Sequence, residues 1–346
     1  MFAALQGDAT AIGIEARHGA VLDQLMAGVA GGVDPVGQDP VAAHGTGGGL
    51  EQSGEARLRL QREARCDLAG IEGIPYEALN ADQIAASFPL KPKPGFTGLF
   101  EPTAGAVRSD RVVAHWINTA RKAGHQLIEH CPVAGLDADG GGVTLESGEH
   151  IAAGQLVVAC GIWSQLLLAP LGLSPKLEVW PMLWAHYTVD PALADRYPQW
   201  FCFQQERGDD GGLYYGFPVL SQTADGRPRI KAGIDWAPKE LRVAEPNAMV
   251  TEPPARLVEL LDTFLFNELE GVQERVETVI SPYSMASDVN FVLDRLTPKL
   301  SLFAGGSGQA FKFAPLIGDS LARLASGEQP AVDLSCWSHQ RAAVRA

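Results

Sequence analysis

Two short apolar runs, at residues 156–159 and 300–304, stand out in the pattern of hydrophobic and polar positions. Each run ends at a glycine, Gly161 or Gly305, and neither shows the alternation of a half-exposed strand. Both therefore predict strands buried on both faces, as in a parallel sheet. The second run is followed by a glycine turn and by a predicted helix at residues 314–324.

The segment between residues 109 and 151 predicts one helix and a small group of strands. The helix starts at Ser109, carries its apolar residues on one face and ends before Gly124. A strand is expected at residues 126–130. A hairpin is expected at residues 143–151, because two apolar stretches flank a Ser-Gly turn.

The middle of the chain is richer in extended, aromatic segments, which lie at residues 180–189, 200–204, 213–218 and 229–235. These segments predict an antiparallel sheet. A helix is expected after Pro253-Pro254, since the following apolar residues recur at helical spacing. The succession of elements indicates an α/β protein.

The first fifty residues differ from the rest. They contain eleven glycines and one short amphipathic stretch at residues 21–29. The glycine-rich run at residues 44–49 superficially suggests a nucleotide-binding loop. Its spacing does not fit, because GxGxxG would need glycine in place of Leu50, and no apolar strand precedes it.

Composition and charge argue against several classes of binding partner. The formal net charge of −14 and the absence of a basic stripe argue against nucleic-acid binding. No apolar window is long enough for a membrane span, and the N-terminus lacks the features of a secretory signal. Five widely spaced cysteines without a CxxC motif fit reduced thiols in the cytoplasm and make a metal site unexpected.

The sequence Gly305-Gly306-Ser307-Gly308, between a strand and a helix, is the strongest local signal for a site. Glycines let a flat ligand approach the backbone, and the helix N-terminus favours negative charge. An ordinary turn is the alternative. Lys312 follows in an apolar context, where it either extends to solvent from a helix face or supplies a point charge for a carboxylate.

Lys231 lies on a predicted strand, with Arg229 and Gly233 on the same face. It is either a solvated strand residue or a cation held beside a redox centre. Tyr214 and Tyr283 stand near predicted strand ends as possible hydrogen-bond donors, with core packing as the alternative for both.

Six segments, taken in order, resemble the D-amino-acid-oxidase superfamily, in particular its sarcosine oxidase and N-methyltryptophan oxidase branch. The matching segments are residues 100–105, 156–167, 213–218, 230–233, 288–294 and 304–313. The resemblance extends over residues 75–335. It implies an FAD-dependent enzyme that oxidises a secondary amine or N-methyl amino acid to an imine, with oxygen reduced to hydrogen peroxide.

The resemblance also implies roles for individual residues. Lys312 corresponds to the carboxylate anchor beside the flavin, and Lys231 to the oxygen-activating lysine. Tyr283 and Tyr214 correspond to tyrosines of the substrate pocket. The cofactor-binding residues implied are Val133 and Gly161 on the adenosine side, Gly305, Gly306, Ser307 and Gly308 at the flavin pyrimidine, Lys312 beside the flavin, and Trp163.

The fold implied is an α/β, glutathione-reductase-like FAD-binding domain, incomplete at the N-terminus and interleaved with a substrate domain built on an antiparallel sheet. Residues 1–74 form an atypical N-terminal segment. The substrate domain is expected at residues 75–124 and 185–285, and the FAD-binding domain at residues 125–184 and 286–346.

Three departures from the family pattern matter. The GxGxxG unit and the family's substrate-binding arginine have no counterpart in this sequence. A truncated or frame-shifted reading frame would explain their absence. The affinity for FAD is expected to be lower as a result. Ser281 replaces the cysteine that attaches the flavin covalently, so non-covalent FAD is expected. Asp235 replaces a pocket histidine, which predicts a preference for more cationic amines. The alternatives are a cofactor-free, non-catalytic remnant and a dehydrogenase that uses another acceptor.

Overall fold

The structure, a computed structural model, describes residues 75–137, 139, 141–204 and 212–345. Its strands are β1 (Glu77–Asn80), β2 (Thr97–Phe100), β3 (Val133–Leu136), β4 (Gly142–Leu145), β5 (His150–Ala152), β6 (Leu156–Val158), β7 (Glu178–Val189), β8 (Trp200–Phe203), β9 (Leu213–Gly216), β10 (Ser221–Gln222), β11 (Pro228–Ile234), β12 (Val272–Met285), β13 (Val292–Thr297) and β14 (Leu300–Ala304). Its α-helices are α1 (Ala81–Ser87), α2 (Ser109–Lys122), α3 (Ser164–Leu168), α4 (Ala255–Glu268) and α5 (Ala314–Ser326). The glycine-rich N-terminal segment discussed above lies outside the described residues.

The middle of the chain forms a six-stranded antiparallel sheet, as predicted. Its order is β12-β7-β11-β9-β8, with β10 paired to β11. The 14-residue strand β12 was not predicted. Its first half carries exposed polar residues, including Gln273 and Glu274, and two register shifts interrupt its pairing with β7. These features hide the alternation by which a strand is normally recognised.

One face of this sheet packs against helix α4. Leu183, Ala185 and Tyr187 of β7 lie in the same hydrophobic cluster as Leu261 and Leu265 of the helix. All five side chains are fully buried. The helix therefore covers one face of the sheet, and residues at alternate positions point to the other face.

A second sheet has the order β13-β14-β6, in which β14 runs parallel to β6 and antiparallel to β13. Leu300 and Leu302 pack on one side of β14, and Phe303 packs on the other side with Ile317 and Leu321 of α5. Burial on both faces confirms the prediction made from the two apolar runs. The predicted strand at residues 300–304 and the helix that follows it are also confirmed.

The hairpin predicted at residues 143–151 is confirmed as β4 and β5, which belong to a third sheet with β3. The strand predicted at residues 126–130 is wrong. That segment is irregular and largely exposed, its two apolar residues are adjacent rather than alternating, and the strand begins only at Val133.

The expected domain boundary between residues 184 and 185 needs correction. It falls inside β7, which runs without interruption from Glu178 to Val189 within the six-stranded sheet. The six-stranded sheet therefore includes the residues from Glu178 onwards. The boundary at residues 285 and 286 coincides with the end of β12. The wider division into two interleaved domains stays a prediction.

Candidate active site

The face of the six-stranded sheet opposite helix α4 carries Lys231, Ser281 and Tyr283, three of the residues that the sequence singles out, together with further polar and aromatic side chains. We call it the site face. Strand register places the following residues on it: Trp180, Trp184, His186, Tyr215, Lys231, Gly233, Glu277, Ser281 and Tyr283. They come from four neighbouring strands, so residues far apart in the sequence form one continuous surface.

Lys231 is a partly buried cation on this face. Its Nζ lies 4.1 Å from the ring centroid of Trp184 and 5.8 Å from that of Phe217. Burial lowers the pKa of the Lys231 ammonium, and the negative charge of Glu277 partly opposes this effect. Within the described ranges, no carboxylate lies at ion-pair distance from Lys231.

Tyr215 lies flat across Gly233. A Cβ atom at Gly233 would be 2.6 Å from the Tyr215 hydroxyl oxygen. The Tyr215 hydroxyl is hydrogen-bonded to that of Tyr283, and burial raises the pKa of both phenols, as does the nearby Asp235 charge. The two tyrosines are therefore neutral at physiological pH and available as hydrogen-bonding groups.

Tyr214 lies on the opposite face. Its side chain is 3% exposed, and its ring stacks on Phe264 of α4 with centroids 3.9 Å apart and planes 3° apart. The structure therefore does not bring Tyr214 to Lys231 and Tyr283. The neighbouring residue, Tyr215, occupies the position that the sequence analysis assigned to Tyr214, because successive residues of a strand point to opposite faces.

The glycine loop after β14 contacts the site face through Tyr283. A Cβ atom at Gly308 would be 2.4 Å from Cε2 of the Tyr283 ring. Ser307 is buried and donates its backbone N–H to the Ser284 carbonyl at 2.9 Å, which ties the loop to the end of β12. Gly305, Ser307 and Gly308 all have positive φ. The loop is thus held against the site face in a conformation that favours glycine.

Gly161 and Gly305 mark neighbouring strand ends. Both follow the carboxyl ends of β6 and β14, which run parallel, and both have positive φ. The turn Gly161–Trp163 contacts β12 and β14, and β3, which begins at Val133, packs beside α3. The predicted adenosine-side residues and the glycine loop therefore meet at one edge, where parallel sheets usually bind ligands.

Lys312 and Asp235 lie at the borders of this region. Lys312 is exposed in the 3₁₀ turn Ala310–Phe313, directly before α5, with its Nζ 5.8 Å from the Phe313 ring centroid. Asp235 follows β11, and its N–H donates to the Leu213 carbonyl at 2.9 Å. Asp235 is exposed to solvent, and partial burial of its carboxyl group raises the pKa of that group.

The residues present fit a flat, negatively polarised group such as a flavin. Among the described residues, no atom lies within 4 Å of the position where a side chain of Gly161 would begin, so the backbone at the end of β6 faces open space. The glycine loop at Gly305–Gly308 leads into α5, whose N-terminal N–H groups favour negative charge. These features leave backbone atoms accessible at the strand ends among the described residues.

Comparison with known families identifies the class of protein to which the chain belongs. The family model DAO, described as FAD dependent oxidoreductase, matches residues 25–324. The chain therefore belongs to this family of FAD-dependent oxidoreductases. The match begins well before residue 75, where the resemblance was expected to start, and so includes part of the segment that was interpreted as atypical.

The most similar proteins include N-methyl-L-tryptophan oxidases. The enzyme of Citrobacter koseri is 29% identical over 274 residues, which is 78% of this chain and 70% of that protein. The enzyme of Salmonella typhimurium is 28% identical over 266 residues, which is 76% of this chain and 68% of that protein.

Solved structures with the same fold include NikD in its open form, an unusual amino acid oxidase essential for nikkomycin biosynthesis. It is 29% identical with a TM-score of 0.70, covering 81% of this chain and 72% of that one. L-proline dehydrogenase from P. horikoshii is 18% identical with a TM-score of 0.64, covering 83% of this chain and 73% of that one. The second likeness shows the fold alone.

No helix among the described residues is both long and apolar enough to cross a membrane. No group of three or more histidine, cysteine or acidic side chains is arranged there to hold a metal ion.

Proposed function

We propose that this chain oxidises a secondary amine or N-methyl amino acid to an imine, with FAD as cofactor and oxygen as the electron acceptor. The observation that carries the proposal is the convergence of Lys231, Tyr215 and Tyr283 on one sheet face, in contact with the glycine loop at the strand ends. The names of the N-methyl-L-tryptophan oxidases and of NikD support the same class of substrate.

When bound, FAD supplies the two-electron acceptor for the amine and passes the electrons to oxygen. The amine loses two electrons and two protons to become an imine, which water hydrolyses, and oxygen gains both to become hydrogen peroxide. The glycine loop and Gly161 would hold the cofactor at the strand ends. Val133 and Gly161 would line its adenosine side, and Trp163 would be a further cofactor contact.

The chain's own side chains would bind and orient the substrate. Lys312, an exposed point charge before α5, would attract the carboxylate of an amino acid. Tyr215 and Tyr283, held neutral by burial, would donate hydrogen bonds in the pocket. Asp235 would attract the protonated amine. Lys231 would place a positive charge where negative charge develops on oxygen.

Non-covalent attachment of the flavin is part of the proposal. Ser281 has a hydroxyl where the family has a thiol, and a hydroxyl is a far weaker nucleophile than a thiolate at neutral pH. In addition, the Ser281 Oγ already accepts a hydrogen bond from the Trp184 indole at 2.7 Å.

The test is an amine screen on the purified chain supplied with FAD. Sarcosine, N-methyltryptophan and proline would be offered in air with peroxide detection, and again without oxygen with an artificial electron acceptor. Peroxide formation that depends on the amine is expected. Turnover with the artificial acceptor alone would indicate a dehydrogenase, and no turnover under either condition would contradict amine oxidation.

A further inference from the structure

Trp184 makes three contacts at the centre of the site face. Its indole N–H donates to the Ser281 Oγ at 2.7 Å, its ring face carries the Lys231 Nζ at 4.1 Å from the centroid, and the His186 ring meets it edge-on at 5.3 Å. The indole has only one donor, so the bond to Ser281 fixes the orientation of the ring. The ring face is therefore a fixed surface for the cation.

The ordinary partner of a lysine on an antiparallel sheet would be a carboxylate on a nearby strand. Glu277 is that carboxylate, because Lys231 and Glu277 both pair with His186 and flank it from either side. Glu277 is occupied by other groups: His186 Nδ1 lies 2.6 Å from its Oε2, and the Arg229 guanidinium lies 3.4 Å from it.

We propose that Trp184 is a positioning residue for Lys231, which it holds over its ring face and away from Glu277 because Ser281 fixes the ring. The consequence for oxygen reduction rests on the proposed function, in which the Lys231 ammonium stabilises negative charge that develops on oxygen. Among the described residues, the charged or titratable groups beside Lys231 are Arg229 on its own strand, His186 on β7 and Glu277 on β12. None of them provides the contact that Trp184 makes.

The position of the ammonium can be measured without any turnover. Reductive methylation with ¹³C-labelled formaldehyde places two methyl groups on each lysine Nζ and keeps its charge. The Lys231 signal is identified in the NMR spectrum of the FAD-supplemented protein by its absence from a Lys231→Met variant. Methyl groups above an indole face are shielded by the ring current, so this signal should lie upfield of the other lysine signals.

Three variants separate the effect of the Trp184 ring from the effect of its hydrogen bond to Ser281. Trp184→Leu removes the ring and should return the Lys231 signal to the range of the other lysines. Ser281→Ala keeps the ring but removes its anchor, so the upfield displacement should shrink. Trp180→Phe is the matched control, because Trp180 lies on the same strand and face but contacts Arg242 instead, and it should leave the signal unchanged.

A Lys231 signal within the range of the other lysines in the unaltered protein would overturn the proposal, and so would a displacement that Ser281→Ala and Trp184→Leu both leave intact. Ser281→Ala keeps the test decisive if the larger substitution does not fold. In active enzyme, Trp184→Leu should slow peroxide formation by about tenfold. A protein that shows the NMR displacement but oxidises no amine would contradict the proposed function and leave the positioning role intact.

Discussion

The hydroxyl oxygen of Tyr215 lies 2.6 Å from the point at which a side chain at Gly233 would begin. Real side chains do not tolerate this distance, so the phenol can lie across β11 only because residue 233 is glycine. The arrangement carries the Tyr215 hydroxyl over the neighbouring strand to Tyr283. One glycine thus allows two strands to supply a single pair of hydroxyl groups.

Gly233→Ala should displace Tyr215 from this position. The added methyl group would overpack the site face, and we expect a loss of about 1–3 kcal/mol in the free energy of unfolding, together with weaker binding of the amine. Urea unfolding measures the loss of stability, and the KM for the amine measures the weaker binding. Gly135→Ala in β3 is the control, because the space around that glycine is open among the described residues and its φ is ordinary. Equal effects of the two substitutions would contradict this interpretation.

Tyr215→Phe and Tyr214→Phe form a matched pair on adjacent residues. Tyr215→Phe removes a hydroxyl that contacts Tyr283 on the site face and should lower kcat/KM for the amine by about tenfold. Tyr214→Phe changes a buried ring that stacks on Phe264, so it should affect stability but not kcat/KM. A larger kinetic effect at Tyr214 would show that the site lies on the opposite face of the sheet.

This pair also shows how far the sequence can locate the site. The chain alone predicts the antiparallel sheet, the buried strand at residues 300–304, the helix after it and the placement of Lys231 with Gly233 on one face. These features follow from local periodicity. Strand pairing is not local, and the choice between Tyr214 and Tyr215 depends on which of them lies opposite Gly233.

Other features of the site had no signal in the sequence. Trp184 becomes important only because β7 lies between the strands that carry Lys231 and Ser281. The strand β12 lacks clear alternation, so the sequence marks Tyr283 as a possible hydrogen-bond donor but does not show that it shares a sheet face with Lys231. The correct boundary of the six-stranded sheet likewise depends on the pairing of β7 with β12 along its whole length.

Asp235 should control the preference for amines. Burial raises the pKa of its carboxyl group, so the group becomes neutral as the pH falls through this raised value and then no longer attracts a cationic amine. The KM for a protonated amine should therefore rise towards low pH in the unaltered enzyme and vary less in Asp235→Asn. A panel of amines ranked with Asp235→His should also change order. An unchanged ranking and an unchanged pH profile would exclude this role.

Asp294 should anchor the C-terminal segment. Its Oδ2 accepts hydrogen bonds from Ser338 Oγ at 2.8 Å, His339 N at 3.0 Å and His339 Nδ1 at 2.7 Å. Burial acts to raise the pKa of this carboxyl group, but the hydrogen bonds from His339 and Ser338 outweigh it and lower the pKa. The stabilisation is therefore present above the unfolded-state pKa of about 3.9 and is lost as the pH falls through the lower folded-state value.

Asp294→Asn should lower the free energy of unfolding by about 1–3 kcal/mol at neutral pH, with a smaller effect below about pH 4. Chemical unfolding at several pH values measures the difference. Glu252→Gln, at an exposed carboxylate elsewhere on the surface, should change stability by less than about 0.5 kcal/mol. A pH-independent loss in Asp294→Asn would show that the charge of the carboxylate is not involved.

The central claim is that this chain holds FAD without a covalent bond beside Lys231 and Tyr283. Its most direct test is the visible absorption spectrum of the protein supplied with FAD and freed of excess cofactor, recorded before and after acid precipitation. We expect flavin bands in the native protein that appear in the supernatant after precipitation. A protein that remains colourless after incubation with FAD, or a flavin that stays in the acid pellet, would contradict the account.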